Sequence, residues 1–359
     1  MKWDFLVGNP PYQAETVEHV SETNGQAPRK NVFHYFQMEA DKISENGSIL
    51  IYPGGRWIHQ SGKGLQQFGK EQINDPTLSA IEFYPDAHEV FGQAADLSDG
   101  VTIVLKEKNK KSLGFQYSYV KGGTRETVHA DNPGDDLMPL NPKDISICKK
   151  IKQFVESKSL AFLHDGILPR SLFGIESDFV SKNEDLVTPL EQVTTVDFNK
   201  YVKLFTNDKA GKAGRAKWYV TKKEYIPNGK DFINKWKVVV SSANAGGQKR
   251  DNQIAIVDNH SAFGRSRVAL RAFDTEKEAE NFFNYAKSVL IRFSFLMTDE
   301  ALTSLGKMVP DVVDYSDSNS YINYSKDIDS QLFSLFSMSE DEIAYMKSRV
   351  ENPRNKEMA

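Results

Sequence analysis

Up to about residue 110, short apolar runs alternate with stretches of helical period, and this alternation constrains the fold more than any other feature of the sequence. "FLVG" is stopped by Gly8 and two prolines and reads as a buried strand entering a loop. "NVFHYFQMEADKIS" carries Val32, Phe33, Phe36 and Ala40 at helical spacing and stops at "ENGS". "SILIYP", "LSAIEFYP" and "GVTIVLKEK" read as further strands, with a helix in "GKGLQQFGKEQIND". The order predicts an α/β fold built on a parallel or mixed sheet.

The composition then changes. "KNKKSLG" and "HADNPGDDLMPLNP" are rich in charge, Gly and Pro, with one aromatic strand, "FQYSYV", between them. The predicted boundaries are residues 1–112 for the first domain, 113–145 for a connector with a hairpin element, 146–305 for a second mixed α/β domain and 306–359 for a polar tail. Within the second domain, "DISICKKIKQFVESK" reads as a helix capped by Asp144, and "YVKLF", "WKVVVSS" and "QIAIV" read as strands. "TEKEAENFFNYAKSVLIRFSFLM" reads as one helix whose Thr275 and Glu278 form a capping box. Its Phe282, Phe283, Tyr285, Leu290, Phe293 and Phe295 belong to a core.

A chain of 359 residues can bury more than one core, and its hydrophobic content of 39% is that of a globular protein. No apolar run approaches the ~20 residues of a membrane span, and no secretory leader is visible, so a cytoplasmic location and no membrane partner are expected. The single cysteine, Cys148, leaves no disulfide framework and no cysteine-based zinc site. His19, His34, His59 and His88 lack metal-ligand spacing, so no metal is expected.

Asn9-Pro10-Pro11-Tyr12 is where chemistry concentrates. A residue before proline is pushed to extended conformations, so Asn9 and Pro10 form a stiff, non-helical bend. Prolines lack N–H groups, so the bend offers acceptors and few donors, which suits a substrate presenting an amino group. The Asn9 side-chain oxygen and the Pro10 carbonyl can both accept from one NH₂. Drawing on both hydrogens pulls that nitrogen out of conjugation and frees its lone pair for attack. Tyr12 can offer its ring to a nucleobase, worth roughly 1–3 kcal/mol. An ordinary proline-rich turn remains the plain alternative.

These four residues, with "KWDFLVG" before them, resemble the catalytic motif of amino-methyltransferases that use S-adenosylmethionine, and specifically the adenine-specific DNA methyltransferases of restriction–modification systems, the type IIG enzymes among them. "GSILIYPGGRWIHQSGKGLQQFGKEQIND" is similar to the family's strand–"P-x-RW"–loop–helix block, with Pro53, Arg56 and Trp57. "AIEFYPDAHEVFGQAADLSDGVTIVLKEK" is similar to its "VF" block, and "DSNSYINYSKDIDSQLFSLFSMSEDEIAYM" to its usual ending. The resemblance implies a partial Rossmann-like methyltransferase sheet followed by a target-recognition domain. It implies that Asn9, Pro10, Pro11 and Tyr12 are the catalytic loop holding a flipped adenine. Phe91 is assigned either to the other face of the base or to core packing. Asp4 either orients the loop or is an exposed charge, and Arg56 and Trp57 are expected in the scaffold. The methyl donor is a sulfonium, so the scheme needs alignment rather than a general base.

The family also needs a cofactor half with an Asp and a Gly-x-Gly turn ahead of this block, and the residues before Asn9 leave no room for it. "KAGKAG", "SANAGGQ" and "GILPRSLFG" do not substitute. The expectation is a catalytic-plus-recognition half with an incomplete cofactor site, inactive by itself and completed by an upstream methyltransferase or endonuclease polypeptide. The incomplete sheet should present an apolar edge for another chain to cover.

The formal net charge of -4 does not advertise a nucleic-acid binder, but its distribution does. "KAGKAGRAKWYVTKK" holds six basic residues and no acidic one. Lys209, Lys212, Arg215, Lys217, Lys222 and Lys223 there, with Lys249, Arg250, Arg265, Arg267 and Arg271 further on, are the expected contacts to double-stranded DNA. Any one of them alone reads first as a solvated charge; it is the group of eleven that favours DNA contact. Two other functions fit parts of the pattern: a non-catalytic DNA-binding remnant of a restriction system, or a methyltransferase acting on RNA or on a protein glutamine.

Overall fold

The computed structural model describes residues 2–15, 29–60, 64–94, 97, 99–211, 213–247, 251–298 and 302–351. The chain divides into two compact units, residues 1–146 and 147–359. Both mix helices and strands, so the fold class is α/β.

The first unit contains β1 (Trp3–Gly8), α1 (Phe33–Ile43), β2 (Ser44–Pro53), α2 (Gln66–Ile73), β3 (Leu78–Tyr84), β4 (Val101–Glu107), β5 (Phe115–Lys121) and β6 (Thr124–Ala130). One six-stranded sheet joins them in the order β1-β2-β4-β3-β5-β6. β1 runs parallel to β2 and β3 parallel to β5, while the other neighbours are antiparallel, so the sheet is mixed. The stretch read as a connector supplies β5 and β6. Gly122 and Gly123, with φ of 60° and 73°, make the tight turn between them. β6, "TRETVHA", is an edge strand whose residues are mostly exposed, and that polar face makes it read like a linker.

Helices α1 and α2 bury Phe33, Ala40, Phe68 and Ile73 in one core with Leu50, Tyr52, Ile81, Phe83 and Val104 of the strands. Beneath them sits a buried polar network. Lys106, 2% exposed, bonds the carboxylates of Asp41 at 2.8 Å and Asp75 at 2.5 Å and the Gln72 amide at 3.2 Å. Gln37 bonds Asp41 at 2.7 Å and accepts from the Tyr52 hydroxyl at 2.6 Å.

β1 is an outer strand of this sheet. Side chains alternate along a strand. Leu6 therefore packs on the core, while Trp3, Phe5 and Val7 point away from it and are 52%, 37% and 75% exposed. Among the described residues the outer strand therefore shows an exposed apolar face.

The second unit contains α3 (Ile145–Ser157, begun in the first unit), β7 (Tyr201–Asn207), β8 (Ala216–Lys222), β9 (Trp236–Ser241), β10 (Ala255–Val257), β11 (Ser261–Phe263) and β12 (Arg267–Phe273). One sheet runs from the short strand Val187–Pro189 through β8 and β7 to β11, and another runs β10-β9-β12. Val202, Leu204, Tyr219, Val239, Val257, Ala262 and Ala269 share one core. The cap ahead of α3 is Asn141 rather than Asp144. Its side chain accepts from the Lys143 amide at 3.0 Å and starts a 3-10 turn, Pro142–Asp144, that leads into the helix.

The long helix is two: α4 (Glu276–Lys287) and α5 (Val289–Leu296), separated by extended Ser288. The Asp329 carboxylate, at the start of α6 (Ile328–Leu335), accepts from the Val289 amide at 2.7 Å and caps α5 from a distant part of the chain. Residues 306–359 are therefore not a loose tail as far as they are described, since α6 and α7 (Glu340–Glu351) pack on α5. Phe282, Tyr285, Leu290, Phe293 and Phe295 are buried and Phe283 half-buried. The Thr275–Glu278 capping box is present. Thr275→Ala is expected to cost about 1 kcal/mol, to be read as a lowered urea midpoint with unchanged slope. Among the described residues no helix is long and apolar enough to cross a membrane.

Candidate functional site

The loops that matter gather at one end of the first unit's sheet. β1 and β2 run parallel, so Asn9 and Gly54 leave them at the same end, and antiparallel β4 enters there at Val101. The Gly54 amide donates to Gly100 O at 2.8 Å, and the Thr102 hydroxyl donates to Gly54 O at 2.6 Å. Gly100, at φ 76°, leaves no space for a side chain, because a Cβ would sit 2.1 Å from Tyr84 O. The loops after β2 and β3 are thus locked to the start of β4. Carboxyl ends of strands are where open α/β sheets hold ligands.

Within this frame Asn9 is exposed, Pro10 buried, Pro11 exposed and Tyr12 half-buried. Two prolines fix two φ angles. The Tyr12 carbonyl accepts from the Val32 amide at 3.0 Å, tying the bend to the head of α1. Among the described residues no protein group bonds the Asn9 side chain, so its amide oxygen is free to accept. The Tyr12 ring rests against the first core. Its hydroxyl is buried without a partner among the described residues, and burial pushes its pKa up to about 12. The phenol is therefore neutral at working pH, and what it can offer a ligand is an aromatic face.

The remaining residues of the resemblance divide by surroundings. Trp57 is fully buried. Arg56 pairs with Asp99 at 2.9 Å across the loop, which makes both scaffold. Phe91 closes a short helix, His88–Phe91, after β3 and is half-buried. β3 lies three strand spacings from β1, about 14 Å, so the structure puts Phe91 at the same end of the sheet but does not bring it beside Tyr12. Asp4 is exposed and its carboxylate accepts from the Asn46 side chain.

The fit of S-adenosylmethionine can be tested at the glycine turn that follows a strand here, Gly54-Gly55. A Cβ on Gly54 would meet Asp99 at 3.1 Å, and one on Gly55 would meet Leu140 at 2.7 Å and Phe83 at 3.0 Å. The turn is filled by the protein itself and cradles no ligand. Gly54-Gly55 is therefore not the turn that would hold the methyl donor. Among the described residues no cluster of three or more His, Cys, Asp or Glu side chains stands ready for a metal ion.

In the second unit four of the expected DNA contacts pair with an acidic side chain. Lys217 pairs with Asp208 at 3.3 Å, and the Arg215 backbone amide donates to the same carboxylate at 2.8 Å. Lys222 pairs with Glu224 at 3.3 Å and lies over the Tyr225 ring. Arg265 pairs with Glu176. Arg271 pairs with Asp311, which is 1% exposed, and that is the setting of an internal ion pair. Lys209 is exposed and Lys223 half-buried. Lys212, Lys249 and Arg250 lie outside the described residues. Arg267 differs from the rest. It is half-buried, bonds the Gln253 side chain at 2.6 Å and stacks over Phe205 at 5.1 Å, with no carboxylate bonded among the described residues.

Residues 1–91 match the family Eco57I restriction-modification methylase. No curated protein matches the chain. Among solved structures the chain is similar to the type IIL restriction–modification enzyme MmeI in complex with DNA, at 10% identity over 98% of this chain and 50% of that one, with a TM-score of 0.42. It is similar to the type IIG restriction endonuclease BpuSI at 10% identity over 98% of this chain and 53% of that one, with a TM-score of 0.32. A type I restriction–modification methyltransferase subunit from Streptococcus thermophilus shares 13% identity over 36% of this chain and 29% of that one, with a TM-score of 0.25. The chain spans about half or less of the length of these structures.

Proposed function

We propose that this chain is the catalytic and DNA-reading part of an adenine-N6 DNA methyltransferase of a restriction–modification system. One observation carries the reading: a non-helical loop stiffened by two prolines, with an exposed Asn9 side chain that no described residue bonds and a half-buried Tyr12, lies at a strand's carboxyl end, inside the segment that matches the methylase family. In this reading the adenine leaves the helix, at a few kcal/mol, and stacks on Tyr12. Asn9 accepts from its exocyclic amine and aims the nitrogen lone pair outward. S-adenosylmethionine is the methyl donor that the family match suggests, and its site is completed by other residues.

The part that completes it docks against β1, the strand whose carboxyl end bears Asn9. It is a cofactor-binding polypeptide that extends the sheet by pairing with β1's outer edge and covers Trp3, Phe5 and Val7. The exposed cations Lys209, Arg215, Lys217 and Lys222 track phosphates, with Lys223 and the positions of Lys212, Lys249 and Arg250 in the same role. Arg271 is left out, since its charge is already met by Asp311.

The test supplies that cofactor-binding polypeptide and measures transfer of labelled methyl to adenine in duplex DNA. The chain alone should bind DNA and transfer nothing. Duplex DNA that stays unmodified with both parts present and bound would overturn the assignment. Val7→Lys, on an exposed position, should leave the chain folded and DNA-binding while weakening its pull-down with the partner at least tenfold, the effect of about 1.4 kcal/mol. Unchanged capture by both Val7→Lys and Phe5→Lys would remove β1 as the docking edge.

A further inference from the structure

We infer that Arg267, held by Gln253, reads the acceptor edge of a guanine in the recognised DNA sequence. The inference rests on the DNA reading above and gives it a base-reading element distinct from the phosphate contacts. Four features of one loop cluster support it. First, Arg267 is a half-buried cation without an acidic partner among the described residues, and burial holds its pKa below the usual value with no opposing carboxylate. A charge desolvated in this way leaves hydrogen-bonding capacity that an outside acceptor can meet.

Second, the guanidinium is already oriented. One Nη donates to the Gln253 side-chain oxygen at 2.6 Å and its plane lies over Phe205, whose ring in turn packs on Trp218 at 4.9 Å. Third, Gln253 itself has φ of 52°, a left-handed conformation that a non-glycine residue seldom adopts without a local demand. Its carbonyl oxygen is taken by Arg267, so its NH₂ is left to donate. The pair therefore presents mainly donors, the remaining Arg267 N–H groups and the Gln253 NH₂.

Fourth, the neighbouring loop holds donor capacity that the protein does not use. Asn244 is 7% exposed and its Nδ2 has no partner among the described residues. The Ser242–Ser266 backbone bond at 2.9 Å joins that loop to Arg267's own turn. A donor-only fork beside further free donors fits a base edge that shows only acceptors. In the major groove that edge is guanine's N7 and O6, which an arginine fork meets with two bonds. Phosphate would also accept these bonds, but it would not require the side chain to be fixed this firmly; the exposed lysines serve that need.

The test uses the full chain with a pool of randomised duplex DNA, selection of bound duplexes, and anisotropy titration of the preferred duplex with each base pair replaced in turn. The wild type should show a G·C pair whose replacement weakens binding by roughly 5- to 150-fold. Arg267→Lys keeps the charge and loses the fork. It should erase discrimination at that pair alone, leaving the other positions and the salt dependence unchanged. Gln253→Ala should reduce discrimination at the same pair, and it serves where Arg267→Lys fails to fold by thermal melting. Wild-type preference retained at every position in both variants overturns the inference, as does a wild type that binds DNA without preference. A wild type that binds no duplex overturns the DNA reading itself and the inference with it.

Discussion

Replacing Asn9 by alanine is expected to lower methyl transfer to duplex DNA by about two to three orders of magnitude, the size of effect found when one preorganised polar group at the reacting centre is removed. The side chain is exposed and bonds no side chain or backbone group among the described residues, so its loss should leave stability within about 0.5 kcal/mol and DNA affinity unchanged. The assay is single-turnover transfer with the cofactor-binding part present. Transfer at the wild-type rate would end the assignment of Asn9, and a parallel fall in DNA affinity would move its role from chemistry to binding.

Tyr12 divides the same argument further. Its hydroxyl makes no bond among the described residues and stays protonated, with a pKa of about 12, so it does not serve as a base at working pH. Tyr12→Phe should therefore transfer methyl as the wild type does. Tyr12→Ala removes the stacking face, worth roughly 1–3 kcal/mol, and should lose transfer in that proportion. Equal losses in both variants would mean that the hydroxyl, not the ring, is what the site uses.

The Asn9 loop was legible as a non-helical segment because its determinants are local. Prolines act on their own φ and on the residue before them, so four letters are enough to exclude a helix there. The alternation of β1, α1, β2 and α2 was legible for the same reason, since periods of two and 3.6 are properties of short windows. What depended on distant residues was not. β6 looked like a linker because an edge strand with a wet face is spelled mostly in polar residues. The helix that starts at Val289, after the break at Ser288, is capped by Asp329, 40 residues beyond Val289. Arg265, Arg267 and Arg271 are spelled alike in "FGRSRVALR", yet Arg271 meets a buried aspartate, Arg265 an exposed glutamate and Arg267, among the described residues, a glutamine. Charge runs show where cations are dense. They do not show which of them the fold has already neutralised, and in this chain that distinction separates a structural arginine from a candidate reading one.

Lys106→Met should destabilise the first unit by about 3 kcal/mol, the lower end for breaking a buried ion pair by removing one partner. The lower end applies because Asp41 and Asp75 keep some contact with water, at 33% and 23% exposure, while Lys106 has almost none. The pH dependence tells this electrostatic loss from simple repacking. Burial alone would raise the Asp75 carboxyl. The Lys106 ammonium and the two bonds from Thr77 outweigh that and hold it below its usual value. A carboxyl depressed in the folded state contributes stability above its unfolded pKa of about 3.9 and loses it as pH falls through the folded value. The gap between wild type and Lys106→Met in urea denaturation should therefore be widest near neutrality and shrink below about pH 4. A gap constant with pH would mean that methionine's fit, not charge, sets the cost. Lys106 lies toward the end of β4 away from Val101, where the Asn9 end of the sheet begins. The variant, where folded, should accordingly keep the wild-type rate of methyl transfer, because the Lys106 side chain bonds none of the residues Asn9–Tyr12.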